Sequence, residues 1–211
     1  MNKSFLYKRY QASGMWYWIF KWFFTAIFKV CFRFKVEGLE NLPQKTNYIV
    51  VPNHTSTLDP LCIMAAIPAK IYCIAARYLY YVPIVGWFLR KSEAFPTGSS
   101  SEKSIVLINQ NKNVGIFPEG VCSLDGRLGE FRRGAALMAV RTGRPIVPCA
   151  VIGTFEVLPW GRWIPKFRPI KVKVGKPIYL LKEHVDVIDD LILREGTFRI
   201  KESIQTMLNG G

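Results

Sequence analysis

Histidine is scarce in this chain, with two in 211 residues, and none of its five cysteines forms a Cys-x-x-Cys pair. A zinc site built from paired ligands is therefore disfavoured. Four of the cysteines fall in apolar segments and read as small core residues, and unpaired thiols favour a reducing, cytoplasmic setting. Gly-x-Ser-x-Gly is missing, so a serine hydrolase would lack its nucleophile elbow. No uncharged apolar run reaches the ~18 residues of a plain membrane span. A cleaved signal peptide also fits poorly, because lysines interrupt the apolar N-terminal region and no small-residue cleavage site follows. Internal repeats and low-complexity linkers are absent too.

Acidic residues are the other shortage. Residues 1–36 carry seven Lys/Arg and no Asp/Glu, and residues 126–176 carry eleven against two, within a net charge of +14. Half the residues are hydrophobic and 14% are aromatic. Two basic regions on so apolar a chain point to an anionic partner: a membrane surface, a phosphorylated substrate or nucleic acid. Against nucleic acid, the aromatics cluster in one N-terminal stretch and do not alternate with bases along a stacking platform.

That stretch, Met15 to Phe34, holds ten aromatics, with Lys21, Thr25, Lys29 and Arg33 recurring every fourth position. At about 100° per residue those four mark one polar stripe on a helix. The pattern suits a helix lying in the membrane interface, with the bases meeting lipid phosphates; a domain-core helix and a tilted span are the alternatives. The expected organisation is a membrane-interface segment over residues 1–34 and an α/β domain over 35–211.

From Phe32 onward β and α patterns alternate. Strands are expected near 32–37, 47–52, 71–75, 113–117, 146–152 and 168–175, and helices near 60–67, 78–90, 101–111, 133–142 and 186–207. Ser99 to Glu102 reads as a capping box for the third of these helices. Interleaved strands and helices imply an α/β layered domain, a central sheet with flanking helices.

Two stretches carry chemistry. In Val50–Pro60 a short apolar strand runs into Asn53-His54 and, five residues after the histidine, Asp59-Pro60. Asp-Pro before an apolar run is a helix start, with Asp59 able to cap, so His54 lies on the preceding loop. A carboxylate on one imidazole nitrogen fixes the tautomer and leaves the other nitrogen free as a general base. No protein nucleophile accompanies the pair, which suits a substrate hydroxyl. The second stretch, Gly115 to Gly120, is a strand ending in Phe117-Pro118-Glu119-Gly120, a polar anchor beside a bare backbone.

Together the stretches resemble the glycerolipid acyltransferase family, typified by bacterial 1-acylglycerol-3-phosphate acyltransferases; Gly38 to Pro43, Pro145 to Ala150 and Gly153-Thr154 are further echoes. The resemblance implies a central sheet with the motif loops at one edge. It also implies transfer of a fatty acyl group from a thioester, acyl-CoA or acyl carrier protein, to a lysolipid hydroxyl, with no resident cofactor. His54 and Asp59 would be catalytic, with backbone N–H groups near the His54 loop or Gly120 holding the oxyanion. Glu119, Gly120, Asn53 and Ser56 would meet the acceptor, most simply 1-acylglycerol-3-phosphate. The enzyme would work on the cytoplasmic face of a membrane.

The chain departs from the family at two points. An arginine usual near Phe95–Ser99 is missing, and Val121-Cys122-Ser123 replaces the usual Thr-Arg-Ser. Acceptor phosphate would then fall to Arg90, Lys91, Arg127, Arg132 or Arg133, or the acceptor is a different lysolipid. Tyr78 to Trp87 is a candidate wall for the fatty chain, with ordinary core as the alternative. Rival readings are Cys122 as a thiol nucleophile and a non-catalytic basic protein of membrane surfaces.

Overall fold

The computed structural model describes residues 14–98, 100–180 and 189–210. A seven-stranded sheet forms its middle, in the order β1-β7-β6-β2-β5-β3-β4. The strands are β1 (Lys35–Glu37), β2 (Ile49–Pro52), β3 (Ile71–Ala75), β4 (Phe95–Pro96), β5 (Asn113–Gly115), β6 (Ile146–Ile152) and β7 (Lys171–Val174). Neighbours are parallel except β6 and β7, so β1 and β7 run against the other five. The helices are α1 (Met15–Phe32), α2 (Asp59–Ala66), α3 (Pro83–Lys91), α4 (Ser100–Asn109), α5 (Gly134–Thr142), α6 (Thr154–Val157) and α7 (Asp190–Asn209).

Both faces of the sheet are covered, which explains why β2 is buried at every position. Its side chains alternate between two cores. Val50 joins Val147 and Cys149 under α1 and α2, whereas Ile49 and Val51 join Val114, Met138, Ile200 and Ile204 under α5 and α7. The expected α/β layers are present. Cys62 and Cys149 lie in the first core, with Cys31 and Cys73 packed at its edge.

Several local expectations are corrected. The helix expected over 78–90 is a 3₁₀ turn, Arg77–Tyr81, followed by α3. Pro83 has no N–H and keeps the residue before it out of the helical region, and Val82 is extended at φ −77° and ψ 120°. Phe32 ends α1 and does not open β1; Arg33, at φ 47°, turns the chain between them. Strand β4 and the single turn α6 had no counterpart in the sequence pattern. Helix α7 starts at Asp190, with the Asp189 carboxylate accepting the Leu191 N–H at 2.9 Å; the expected start at 186 lies outside the described residues. So do Ser99 of the proposed capping box and residues 1–13.

The largest correction concerns α1. Its polar stripe begins inside the protein: Lys21 is buried with Tyr17, Phe28 and Phe32. The Lys21 ammonium donates to the carbonyls of Met64 and Ile67 at 2.6 and 2.5 Å. These are carbonyls at the end of α2 that the helix itself leaves unpaired. Burial lowers the amine to about 8. Phe28 and Phe32 belong to the same core as Val50 and Cys62, so a boundary at residue 34 cuts through that core. The outward face of α1 carries Trp18, Ile19, Trp22, Phe23 and Val30. None of the described helices is long and apolar enough to cross a membrane.

Candidate active site

Strand register brings the two motifs together. β2 sits between β5 and β6, and Val50 pairs with Gly115. His54 lies four residues beyond the first partner and Glu119 four beyond the second, so both emerge at the carboxyl ends of central parallel strands, where such sheets bind ligands.

Asp59 is fully buried, while the His54 side chain is 19% exposed. One oxygen of Asp59 accepts three hydrogen bonds: from Thr55 N–H at 2.6 Å, from Ser56 N–H at 2.7 Å and on His54 Nδ1 at 3.0 Å. Asp59 is the first residue of α2 and does not cap it; its carboxylate reaches back into the loop that it closes. The imidazole lies against Phe117, ring centroids 4.3 Å apart. With Nδ1 engaged, Nε2 is the nitrogen left for a substrate proton.

Glu119 is buried and both of its oxygens accept backbone amides, His54 N–H at 2.8 Å and Gly129 N–H at 3.3 Å. Burial raises its carboxyl above the usual range, against the pull of those two hydrogen bonds. Those two hydrogen bonds clamp the His54 loop to the 129 loop.

Asn53 and Ser56 are likewise engaged. The Asn53 amide exchanges hydrogen bonds with the Val151 backbone at 2.7 and 3.0 Å, tying the end of β2 to β6. Ser56 Oγ donates to Leu158 O at 2.6 Å and accepts from Leu58 N–H. Both side chains are buried, so neither is presented as a substrate contact. The amides proposed for the oxyanion are also taken. His54, Thr55 and Ser56 donate to the carboxylates just described, and Gly120 N–H to Phe117 O at 3.2 Å. Val121 and Cys122 carry N–H groups with no partner among the described residues. Ser123 N–H donates to His54 O at 2.8 Å and keeps that segment beside the histidine.

The bases divide. Arg133 pairs with Asp190. Arg90 donates to Tyr80 O at 2.9 Å, and Lys91 lies over the Trp16 ring. Arg132 is brought to the Pro-Glu-Gly bend by its own N–H on Pro118 O. Its guanidinium lies so close that a Cβ on Gly120, whose φ is +73°, would meet Arg132 Nε at 2.8 Å. The positive φ favours glycine there, and a Cβ would oblige the flexible Arg132 side chain to shift. Arg127 is exposed on the intervening loop. The side chains of Arg127 and Arg132 have no ion pair among the described residues. The expected acyl wall, Tyr78 to Trp87, is instead largely outward-facing, with Tyr81 and Ile84 about four-fifths exposed. Thr154, which hydrogen-bonds Thr55 at 3.3 Å, and Gly129 complete the loop cluster; only the Gly-Thr pair after β6 hinted at either.

A buried carboxylate holding a reachable histidine at the carboxyl edge of this sheet, with a Pro-Glu-Gly clamp beside it, defines the class. The Acyltransferase family model matches residues 33–152, and the chain belongs to that family. It is similar to the chloroplastic 1-acyl-sn-glycerol-3-phosphate acyltransferase BAT2 of Brassica napus, 32% identical over 183 residues (82% of this chain, 51% of that protein). The enzyme of the same name from Borreliella burgdorferi is 28% identical over 127 residues, 56% of this chain and 51% of its own length. Among solved structures, the 1-acyl-sn-glycerophosphate acyltransferase PlsC of Thermotoga maritima superposes with a TM-score of 0.75 and 26% identity, over 90% of this chain and 79% of that one. The chain spans about half the length of these curated relatives.

Proposed function

We propose that the chain is a 1-acyl-sn-glycerol-3-phosphate O-acyltransferase, moving a fatty acyl group from a thioester to the free hydroxyl of lysophosphatidate to yield phosphatidate. The observation that carries the reading is the 3.0 Å contact between His54 Nδ1 and a fully buried Asp59. His54 Nε2 takes the hydroxyl proton, and the alkoxide attacks the thioester carbonyl. The C–S bond then breaks, and the leaving thiolate recovers the proton from the imidazolium that Asp59 stabilises. The amides of Val121 and Cys122 receive the oxyanion.

Arg132, at the Pro-Glu-Gly bend, takes the acceptor phosphate in place of the arginine that Cys122 replaces, with the exposed Arg127 of the same loop as a second base. A guanidinium fork suits a phosphate oxygen pair. Acyl-CoA or acyl carrier protein serves as co-substrate, and no resident cofactor is required. The outward aromatics of α1 and of the 77–91 segment rest on a membrane surface at its cytoplasmic face.

Free-thiol release from acyl-CoA, and from acyl carrier protein, across a panel of lysolipids tests this. Lysophosphatidate should be the preferred acceptor, and His54→Ala should lower kcat by about 10²–10⁴-fold. Arg132→Ala should raise KM for lysophosphatidate while leaving an uncharged acceptor untouched. Turnover surviving in His54→Ala overturns the proposal.

A further inference from the structure

A second segment, far in sequence from α1, carries the signature of a lipid contact. Between α6 and β7 the chain runs Pro159 to Pro169 with Trp160, Trp163, Ile164 and Phe167 turned outward; Trp163 is 94% exposed and Ile164 81%. Interleaved with them are Arg162, Lys166 and Arg168, none of them ion-paired among the described residues. From Val157 to Lys182 the sequence has seven Lys/Arg and no Asp/Glu. The three bases also line an open cavity of about 760 Å³, together with Gly153, Phe155 and Glu156. A solvated loop has no use for four large apolar side chains held in water. Large apolar groups alternating with bases match a bilayer interface, where indoles lie at headgroup depth and bases meet phosphates.

Two contacts connect the loop to the rest of the molecule. Phe167 stacks on Phe32 at the carboxyl end of α1, ring centroids 5.8 Å apart. At its other end Pro159 bridges to Ser56, two residues past the catalytic histidine, and Leu158 O accepts the Ser56 hydroxyl.

We infer that the 159–169 loop is a second membrane-insertion site, which seats Trp163 and Ile164 among the acyl chains of an anionic bilayer. Lipid phosphates lie on Arg162, Lys166 and Arg168. The inference rests on the membrane-surface part of the reading above and adds a function: packed on the end of α1 through Phe167 and tied to Ser56 through Pro159, the loop fixes how the His54 edge is presented to lipid.

Co-sedimentation of the intact chain with phosphatidylglycerol/phosphatidylcholine vesicles tests it, with thermal unfolding as a check on folding and transfer to a detergent-dispersed acceptor as a separate readout. Trp163→Ser with Ile164→Ser should weaken partitioning at least about tenfold without altering transfer in detergent. Arg162→Gln with Lys166→Gln should weaken binding to the anionic vesicles and leave the weaker binding to pure phosphatidylcholine unchanged. Wild-type partitioning of the first double variant overturns the inference, as does a loss seen only with Trp22→Ser and Phe23→Ser on α1. If the chain binds vesicles through the loop but never transfers acyl groups, the membrane-insertion site stands and the acyltransferase reading falls.

Discussion

At the scale of single residues, this site owes its shape to carboxylates that serve the backbone. Glu119 illustrates the point, since its two oxygens hold the His54 and Gly129 amides. In Glu119→Gln only one side-chain acceptor remains, so one buried amide is orphaned at a cost of about 1–3 kcal/mol. We expect urea unfolding to report that loss and kcat to fall, with KM for the acceptor within about twofold of wild type. A tenfold rise in KM at unchanged kcat would mean that Glu119 meets the substrate directly. Cys122 gives the opposite forecast. Burial, and then the charges of Asp59 and Glu119, push its thiol up to about 12, so it stays neutral and is a poor nucleophile. Cys122→Ser should keep thiol release within a few-fold of wild type, and abolition would revive the covalent route. The His54–Asp59 pair was legible in the sequence because a strand end, a loop and an Asp-Pro helix start fix its geometry locally. The roles of Asn53, Ser56 and Glu119 were not, because each depends on a partner about 65 to 102 residues away.

Among the elements, the strands and long helices follow from hydrophobic period, which is why β3 and β6 fall where the pattern puts them. What escaped was too short for any period, such as the two residues of β4 and the four of α6. Pro83 carried the signal that splits the 78–90 segment, and an apolar run on both sides masked it. Helix α1 fails differently. A four-residue spacing shows that Lys21, Thr25, Lys29 and Arg33 share a face, but not whether its first member faces lipid or protein. The partner of Lys21 is the end of α2, reached over more than forty residues. Burial depresses the amine from 10.5 to about 8, so between those values the unfolded chain keeps a proton that the folded chain has released. Stability contributed at this site therefore rises with pH across that window, and the cost of burying the charge is present in full below it. Comparing wild type with Lys21→Met by urea unfolding at about pH 7.5 and pH 10 should show the wild type gaining on the variant at the higher pH. A flat difference would place the amine in water.

For the molecule as a whole, the issue is whether α1 is an anchor attached to a domain or part of the domain. Aromatic density and basic charge in residues 1–36 read as an attachment, yet Phe28 and Phe32 lie in the core with Val50, Cys62 and Val147. Removing a buried Phe side chain costs about 3–5 kcal/mol, against a total stability of about 5–15 kcal/mol for a typical domain. Two such losses, with the α2 carbonyls left by Lys21 unpaired as well, approach or exceed that total. A chain starting at residue 35 should accordingly show no cooperative thermal transition, and it should lose acyl transfer even in detergent, where no membrane contact is needed. Trp22→Ser with Phe23→Ser, on the exposed face of the same helix, should melt near wild type and transfer normally in detergent, failing only on vesicles. Opposite results from the two changes would assign the helix to the core on one side and to lipid on the other. A truncated chain that folds and turns over would return α1 to the status of a detachable anchor.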